Sequence, residues 1–337
     1  MSAGHIFNDP EHDPGVEVAR QRAEAEGAAE PVLLGEADKG RIRVGTAGWT
    51  DPTLTAAGVF YPPGKTSAEE RLRYYASRFN MVEVDSSYYA LPTASVAELW
   101  VERTPADFNF NVKAHALMTG HPSETSRLPK ALRAALPSEV AAKRRVYPRD
   151  LPPEVHDAVW GGFVDAMQPL ARAGKLGAVL LQFPPWLGPS DANRDAILEA
   201  RDRLEGLPCA IELRNRAWFD GDGTDRTLRL LTDQDLPFVM VDEPQGLRNS
   251  VPPVIAVTSP RLAILRMHGR RADQWDRRGA TVAERFRYLY DRQQLAEWVE
   301  PLTSIAGQVR ETHVVFNNCY ANYGTTNALE MEALLGE

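Results

Sequence analysis

Cysteine is nearly absent from this 337-residue chain, which contains only Cys209 and Cys319. Two thiols far apart in sequence make neither a disulfide framework nor a clustered thiolate metal site, so both are expected to be structural. Apolar runs approaching the roughly 18 residues that span a bilayer are also missing. The start, MSAGHIFNDPEHDPG, lacks the basic and apolar regions of a signal peptide. The sequence therefore predicts a cytoplasmic protein without a membrane partner.

Several short catalytic motifs are missing as well. The chain has no phosphate-binding GxxxxGKS/T, no GxGxxG after a strand, no GxSxG and no HExxH. Nucleotide-hydrolase, dehydrogenase, esterase and metalloprotease functions therefore have no support. The formal net charge of −8 and the pI near 5.5 oppose broad electrostatic attraction to nucleic acid or anionic membranes, which leaves only a local basic cleft for such partners.

Residues 1–39 differ in composition from the rest of the chain. They are rich in Glu, Ala, Gly and Pro and have no sustained apolar periodicity, which is typical of a mostly disordered or loosely docked extension. Across the chain, 43% of residues are hydrophobic and 25% are charged, a balance typical of globular proteins with a sizeable core. We therefore predict one domain over 40–337, preceded by a flexible extension over 1–39.

Eight short apolar runs, enriched in Val, Ile, Leu and Phe, follow residue 40 and alternate with longer amphipathic segments. The runs span 41–46, 81–85, 108–113, 178–183, 209–213, 238–242, 262–267 and 313–317. The predicted helices span about 67–79, 93–103, 154–174, 191–205, 224–235, 289–309 and 325–336. Eight parallel strands with long crossovers close a barrel more naturally than they extend an open sheet. We therefore predict an α/β fold, a single parallel (β/α)8 barrel of the TIM type, with a doubly wound sheet as the alternative.

Two predicted connections are unusually long, at about 115–153 and 269–290. Connections of this length are commonly functional lids or mobile insertions, and both follow strands, so both would overhang the C-terminal mouth of the barrel. Their many arginines either recruit an anionic ligand or form a solvated charged surface. The sixth connection, 245–259, is too rich in proline to be a regular helix.

Charged and polar residues occur where the predicted strands end. Three strands carry polar pairs spaced by two residues, which places both side chains on one face: Glu83/Asp85, Glu212/Arg214 and Arg266/His268. Further strand-end residues are Lys113, Asp242 and Asn317. Because the barrel interior is packed, such groups need a partner or a ligand, and their recurrence predicts one convergent polar site. Internal salt bridges produce the same spacing, and an error of one residue in strand phase would turn each pair outward.

The roles of individual residues remain open at this point. Glu212 is the leading candidate for general acid or base, although a carboxylate beside Arg214 is also the pattern of a structural ion pair. His268 suits acid/base chemistry or a hydrogen-bonded structural role. Lys113 could form a Schiff base, neutralise a substrate anion or make a plain ion pair.

A divalent metal such as Mg²⁺ or Mn²⁺ is the cofactor that the charged residues could suit. An oxygen-rich ligand set for it would be Glu83, Glu212, Asp242 and His268. No local ligand motif supports this set, so we predict no metal site, and the sequence names no other cofactor.

Aromatic residues follow the same strand ends: Trp49, Tyr88, Tyr89, Trp186, Trp218, Phe219, Trp275, Tyr320 and Tyr323. Flat apolar faces edged by charges suit a sugar ring or a nucleobase better than a lipid tail. Core packing or loop anchoring is the alternative explanation for many of them.

Eight segments of the chain resemble the YecE-like family, long described as a domain of unknown function. They are RIRVGTAGWTD, FYPPG, YYASRFNMVEVDSSYYALP, WVERTPADFNFNVKAH, KLGAVLLQFPPW, IELRNRAWF, LAILRMHGR and HVVFNNCYANYGTTNA, in order across about 41–330. The resemblance implies a TIM-barrel-like fold and a bacterial cytosolic setting, and it implies no reaction. Positions that it places in a shared pocket are Gly45, Trp49, Glu83, Tyr88, Lys113, Gln182, Glu212, Arg214, His268, Asn317 and Asn318. The extension over 1–39 and the long connection after the third strand depart from simpler members.

The leading functional hypothesis is an enzyme, of hydrolase, lyase or isomerase type, that performs acid/base chemistry on a small polar ligand, either sugar-like or phosphorylated. Its predicted catalytic residues are Glu212, His268 and Glu83. The predicted substrate-binding residues are Trp49, Tyr88, Lys113, Gln182, Arg214, Asp242, Arg266, Asn317 and Asn318, among which Arg214, Arg266 and Lys113 would hold anionic groups.

Two other classes of function compete with this hypothesis. One is binding of nucleotides or single-stranded nucleic acid, with aromatics stacking on bases and the two Arg-rich loops gripping phosphates, although the acidic net charge counts against it. The other is a noncatalytic ligand-binding scaffold, because a fold alone does not fix a function. The sequence predicts no oligomeric state.

Overall fold

The computed structural model describes residues 10–27, 32–33, 40–56, 58–277 and 279–337. About half of the predicted N-terminal extension, namely 1–9, 28–31 and 34–39, lies outside the described residues, and its flexibility stays a prediction. Two compact units make up the chain. The first comprises Met1–Glu83 and Asp225–Glu337, and the second comprises Val84–Thr224.

Parallel strands dominate both units. In chain order the strands are β1 (Val32–Leu33), β2 (Arg41–Ala47), β3 (Met81–Val84), β4 (Asn109–Lys113), β5 (Ser123–Glu124), β6 (Arg145–Val146), β7 (Leu176–Phe183), β8 (Cys209–Leu213), β9 (Val239–Asp242), β10 (Leu262–Met267) and β11 (Glu311–Phe316). The eight longer strands all run parallel and match the eight predicted apolar runs to within two residues. With helices between the strands, the fold class is the predicted (β/α)8, TIM-type barrel.

All seven predicted helices are present. In chain order the helices are α1 (Pro14–Glu26), α2 (Ala68–Ala76), α3 (Ala94–Glu102), α4 (Lys130–Ala134), α5 (Ser138–Ala141), α6 (Pro153–Arg172), α7 (Asp191–Asp202), α8 (Gly223–Asp233), α9 (Ala272–Trp275), α10 (Val282–Phe286), α11 (Arg292–Ala296), α12 (Val299–Ala306) and α13 (Tyr323–Gly336). The prediction at 289–309 corresponds to two short helices, α11 and α12. None of the helices in the described part of the chain combines the length and the apolar character needed to cross a lipid bilayer.

In the first unit, the hydrogen-bonded order of the parallel strands is β3-β2-β11-β10-β9. One row of Cα partners runs from Arg266 on β10 through Val315 on β11 and Gly45 on β2 to Met81 on β3. Residues paired in register share a face of the sheet, as do residues two positions apart on one strand. Gly45 is required in this row, because a Cβ atom there would lie 2.3 Å from the carbonyl oxygen of Met81. The row defines the face on which Arg266 lies.

In the second unit, the order is β4-β7-β8. Lys113 pairs with Leu180, and Gln182 pairs with Glu212. Since Leu180 and Gln182 are two residues apart on β7, the side chains of Lys113, Gln182 and Glu212 point to one face. The long predicted connection that follows β4 contains regular elements, namely α4, α5 and the antiparallel pair β5–β6.

Helix α1 occupies a segment for which the sequence showed no apolar periodicity. Its N-cap is Asp13, whose side chain accepts the Gly15 N–H at 3.0 Å. The helix packs on α13 through the fully buried Ala19, whose carbonyl accepts the Thr326 hydroxyl at 2.9 Å, and through an ion pair of Arg22 with Glu330 at 2.6 Å. The apolar part that α1 itself supplies to this contact includes Ala19 and the partly buried Val16, which pack in a cluster with Tyr323 of α13. The segment therefore lacks the sustained apolar pattern by which a helix is recognised in sequence.

Candidate functional site

Glu212 is fully buried at the C-terminal end of β8. Its Oε1 accepts hydrogen bonds from Gln182 Nε2 at 2.8 Å and from Arg214 Nη1 at 3.2 Å. The first contact follows from the register, since Gln182 lies opposite Glu212 on β7. The second follows from the two-residue spacing in the sequence. Two donors on one oxygen fix the orientation of the carboxylate, as a group that transfers a proton in a defined direction requires.

Lys113 supplies a cation on the same face of the second unit. Its Nζ lies 2.9 Å from Asp85 Oδ1 and 4.7 Å from the centroid of the Tyr88 ring. A salt bridge and an aromatic face both stabilise an ammonium group. Among the three roles considered for Lys113, the geometry corresponds to the ion pair. Burial raises the pKa of the Tyr88 phenol well above its ordinary value, so this hydroxyl stays protonated at neutral pH.

His121, which sequence reasoning missed, belongs to the same group of side chains. Its Nδ1 lies 3.0 Å from the Thr119 hydroxyl oxygen. The imidazole meets the rings of Tyr88 and Trp186 edge to face, at centroid distances of 5.3 and 5.5 Å. The available signal was its place in an unusually long connection after a strand end, where functional residues are common.

Trp186 is the exposed aromatic residue of this group. Its relative exposure is 60%, whereas the other six tryptophans of the chain are at most 8% exposed. It follows β7 in the LQFPPW turn. An exposed indole beside buried polar groups offers a flat apolar surface for a ring-shaped ligand.

We name these side chains the Glu212 cluster: Asp85, Tyr88, Lys113, His121, Gln182, Trp186, Glu212 and Arg214. Burial, together with the nearby charge of Lys113, lowers the pKa of His121 to about 4, although Glu212 acts in the opposite direction. The imidazole is therefore neutral at pH 7. Within the cluster, Lys113 is matched by Asp85 and Arg214 by Glu212. The cluster thus has no formal net charge.

His115 gives the second unit a predicted sensitivity to acid. It is fully buried, and burial lowers its pKa to about 4 from an ordinary 6.5. As the pH falls below 6.5, the unfolded chain binds a proton that the folded chain does not, so stability falls with pH until about pH 4. The contribution lost between pH 7 and pH 5 is about 2 kcal/mol.

We expect His115→Met to reduce the difference in unfolding free energy between pH 7 and pH 5 by that amount. Urea denaturation of the wild type and the variant at both pH values measures it. A variant that keeps the full wild-type pH dependence would contradict the assignment.

In the first unit, Glu83 and Arg266 form a salt bridge with no solvent exposure on either side chain. Arg266 Nη2 lies 2.6 Å from Glu83 Oε1, and Arg266 Nε lies 3.1 Å from Oε2, which is a two-point contact. The register explains the meeting, because Met81 is in the row of Arg266 and Glu83 lies two residues further along β3. Arg266 therefore has a carboxylate partner within its own unit, which weakens its predicted role as an anion-binding residue.

His268 and Asn317 come together at the ends of β10 and β11. Asn317 Nδ2 lies 2.9 Å from His268 Nδ1, so the amide orients the imidazole. The His268 ring packs near those of Trp275 and Phe286, with centroids 6.2 and 6.0 Å away. The sequence predicted His268 as a catalytic residue and Asn317 as a substrate-binding residue, and both roles stay predictions.

Asp242 lies on the opposite face from Arg266, which corrects its predicted place on one face with that residue. Asp242 pairs in register with Met267, whereas Arg266 pairs with Val241. Neighbouring residues on a strand point to opposite faces, so Asp242 cannot join Arg266 and Glu83. A strand-end carboxylate looks the same in sequence on either face, and only the pairing register resolves its phase.

The Asp242 carboxylate is instead held by three donors from later elements of the first unit. They are Arg270 Nη2 at 2.7 Å, the Tyr290 hydroxyl at 2.8 Å and Trp298 Nε1 at 2.8 Å. The Tyr290 hydroxyl also accepts the Gly269 N–H at 2.8 Å. The pairing register therefore excludes Asp242 from the face that carries Arg266 and Glu83, while its predicted substrate-binding role stays a prediction.

Two further predicted substrate-binding residues are used within the fold. Trp49 is buried, and its main-chain carbonyl accepts the Tyr61 hydroxyl. Asn318 is fully buried, and its Nδ2 donates to the Tyr288 carbonyl at 2.8 Å and to Asn327 Oδ1 at 2.9 Å. The two Asn318 contacts connect the segment after β10, through Tyr288, to Asn327 on α13.

Metal ligation finds no geometric support in the described part of the chain. No three His, Cys, Asp or Glu side chains there are grouped so that they could hold an ion. For the set suggested by the sequence, the reason within the first unit is plain, since Asp242 and Glu83 point to opposite faces of the sheet.

The fold and the strand-end clusters define a parallel (β/α)8-barrel protein with polar groups at the carboxyl ends of its strands. A family model described as "Protein of unknown function DUF72" matches residues 43–337. The chain therefore belongs to the DUF72 family, and the YecE-like resemblance is confirmed.

Two curated bacterial relatives are similar to the chain over different shares of its length. UPF0759 protein YunF of Bacillus subtilis (strain 168) is 32% identical over 297 residues, which cover 87% of this chain and 94% of the relative. UPF0759 protein YecE of Escherichia coli (strain K12) is 29% identical over 188 residues, which cover 56% of this chain and 53% of the relative.

Solved structures of the family agree with the fold. A DUF72 family protein from Thermotoga maritima MSB8 has a TM-score of 0.68 at 27% identity, covering 88% of this chain and 99% of that chain. A DUF72 family protein from Enterococcus faecalis V583 has a TM-score of 0.68 at 27% identity, covering 88% and 96%.

Proposed function

We propose that the chain is an enzyme that carries out acid/base chemistry on a small, neutral, polyhydroxylated ring at the Glu212 cluster. The observation that carries the proposal is the fully buried Glu212 carboxylate, oriented by Gln182 and Arg214 in a group that also holds a neutral imidazole. Buried, oriented titratable groups at a strand end of such a barrel are typical of catalytic sites.

Different side chains of the cluster have different proposed roles in binding the ligand and transferring a proton. Glu212 would accept a proton from a ligand hydroxyl or an activated carbon, because its carboxylate is the oriented acceptor. His121 would act as a neutral hydrogen-bond partner at pH 7, since its pKa is about 4. Lys113 and the protonated Tyr88 hydroxyl would donate to ligand oxygens.

Charge balance favours a neutral ligand over the phosphorylated alternative. Lys113 and Arg214 each already have a carboxylate neighbour, so the cluster offers no surplus cation for a phosphate dianion. Arg266, the third cation assigned to anion binding, is paired with Glu83. A sugar ring needs hydrogen-bond donors and acceptors rather than net charge, and the exposed Trp186 suits its apolar face.

A ligand panel tests this proposal. Neutral monosaccharides and disaccharides, and the phosphorylated forms of the same sugars, are added to the full chain, and tryptophan fluorescence and product formation by NMR are recorded. We expect a neutral sugar to quench Trp186 and to be converted, with its phosphorylated form binding at least about tenfold more weakly. Trp186→Ala should remove the quenching, whereas Leu99→Ala, at an exposed position on α3, should not.

Two outcomes would count against the proposal. Tighter binding of the phosphorylated sugars would show that the charge argument fails. Binding of single-stranded RNA or DNA that weakens steeply with added salt, without sugar binding, would favour the nucleic-acid class instead.

A further inference from the structure

A cavity lies in the first unit, beside the end of β9. Its volume is about 410 Å³, within the range of about 300–1,000 Å³ typical of small-molecule sites. Asp242 forms part of the lining, so the cavity borders the face of the sheet opposite Arg266. None of the lining residues belongs to the Glu212 cluster.

The walls of this cavity are mainly apolar and conformationally restricted. Pro244, Pro253 and Ile255 come from the Pro-rich connection after β9, and Trp298 and Pro301 come from the start of α12. Fixed proline rings resist collapse into the space. Ile255 is half exposed although it is a large aliphatic residue, so an apolar wall faces solvent at this point.

Hydrogen bonds hold the connection in place. Glu243 Oε1 accepts the Val251 N–H at 2.6 Å, and Gln245 Nε2 donates to the carbonyls of Glu243 and Val251 at 2.9 and 3.1 Å. The wall is therefore preformed, and a ligand would not have to order it on binding.

The formal net charge of the cavity lining is negative. Arg270 is the one cationic side chain among the described residues that line it. Its guanidinium is shared by Asp242, at 2.7 Å, and Glu297, at 2.8 Å. Two carboxylates on one guanidinium leave this group with a net negative charge. The Glu297 side chain is 51% exposed, so it presents that charge at the open side.

We propose that this cavity is a binding site for an organic cation with an apolar body, such as an arylalkyl or alkyl amine. The ammonium group would lie at Glu297. The apolar body would lie against Ile255, the proline rings and Trp298. An anion is disfavoured by the net negative charge, and a strongly polar neutral molecule is disfavoured by the apolar walls. This site is independent of the proposed reaction at Glu212.

Three probes of the same shape and different charge test the site: 3-phenylpropylamine, 3-phenylpropan-1-ol and 3-phenylpropanoate. Their binding to the full chain is measured by isothermal titration calorimetry at low ionic strength. We expect the amine to bind at least about tenfold more tightly than the alcohol, and the carboxylate more weakly than the alcohol. Equal binding of all three probes, or binding of none, would overturn the proposal.

Variants locate the binding. Glu297→Gln should bring the amine and the alcohol to within about threefold of each other, since it removes the charge and keeps the shape. Glu300 is an exposed glutamate at the start of α12 that does not line the cavity, so the control variant Glu300→Gln should keep the wild-type preference. An unchanged preference in Glu297→Gln would place the amine elsewhere and refute the site.

Two variants that block the cavity are used, so that the test remains possible if one of them does not fold. Ile255→Trp and Ala272→Trp fill the cavity from different elements, and Ile255 is exposed enough to accept the larger side chain. In a variant with a wild-type melting temperature, the amine and the alcohol should both lose at least about tenfold in affinity. Retained affinity in both folded variants would contradict the proposal.

Discussion

Replacing Glu83 by Gln is expected to lower the free energy of unfolding by about 3–5 kcal/mol, because it removes one partner of a fully buried salt bridge. The Arg266 guanidinium keeps its positive charge in the interior of the first unit and loses the carboxylate that contacts it at two points. Urea denaturation is the suitable measurement, since urea adds no ions that would screen the pair.

A matched pair on the surface controls for the loss of a carboxylate. Glu69 and Arg73 form an ion pair at 2.9 Å on α2 with both side chains about half exposed. Glu69→Gln should cost less than about 1 kcal/mol, because water solvates the charge that remains. A similar loss in the two variants would mean that burial does not set the cost.

The double variant Glu83→Met with Arg266→Met separates the pair from its surroundings. We expect its loss of unfolding free energy to be smaller than the sum of the losses in the two single variants, Glu83→Met and Arg266→Met, by about 2 kcal/mol or more. The reason is that neither charge then remains buried alone. Additive losses would contradict a direct interaction between the two side chains.

Replacing Glu212 by Gln is expected to reduce kcat/KM by about 10²–10⁴-fold for the substrate found with the ligand panel, because the amide cannot accept the proton. The amide keeps the shape of the carboxylate and can still accept hydrogen bonds from Gln182 and Arg214. Ligand binding measured by Trp186 quenching should therefore change far less than turnover.

The control for this prediction is Glu199→Gln, an exposed glutamate on α7 in the same unit, which should leave turnover unchanged. The melting temperature of each variant is measured in parallel. Loss of turnover together with a collapse of the melting temperature in Glu212→Gln would identify Glu212 as a structural residue. Full activity in a stable Glu212→Gln variant would exclude it as the proton acceptor.

The positions of the parallel strands were predictable to within two residues at every strand. Buried parallel strands are nearly continuous apolar runs, and that signal is local in sequence. Helix α1 and the short helices of the two long connections were not predicted. Short or Ala-rich helices depend on the contacts they make, such as Arg22 with Glu330, more than on their own periodicity.

Part of the candidate site was equally predictable. The spacing of Glu212 and Arg214 correctly indicated side chains that meet, as their contact at 3.2 Å confirms. The spacing of Arg266 and His268 did not reveal that Arg266 bonds to Glu83, which is 183 residues away in sequence. Asp242 was assigned to the wrong face, and His121 was absent from the prediction.

The sequence by itself determined the fold class, the family and the strand ends at which charged residues collect, because apolar runs, their spacing and family motifs are properties of neighbouring residues. Tertiary structure alone decided which cation pairs with which carboxylate, that Asp242 faces the helices' side of its strand and that His121 reaches Tyr88 and Trp186. The physical reason is that register between strands and the path of a long connection are fixed by contacts between residues distant in the chain, which leave no local pattern to read.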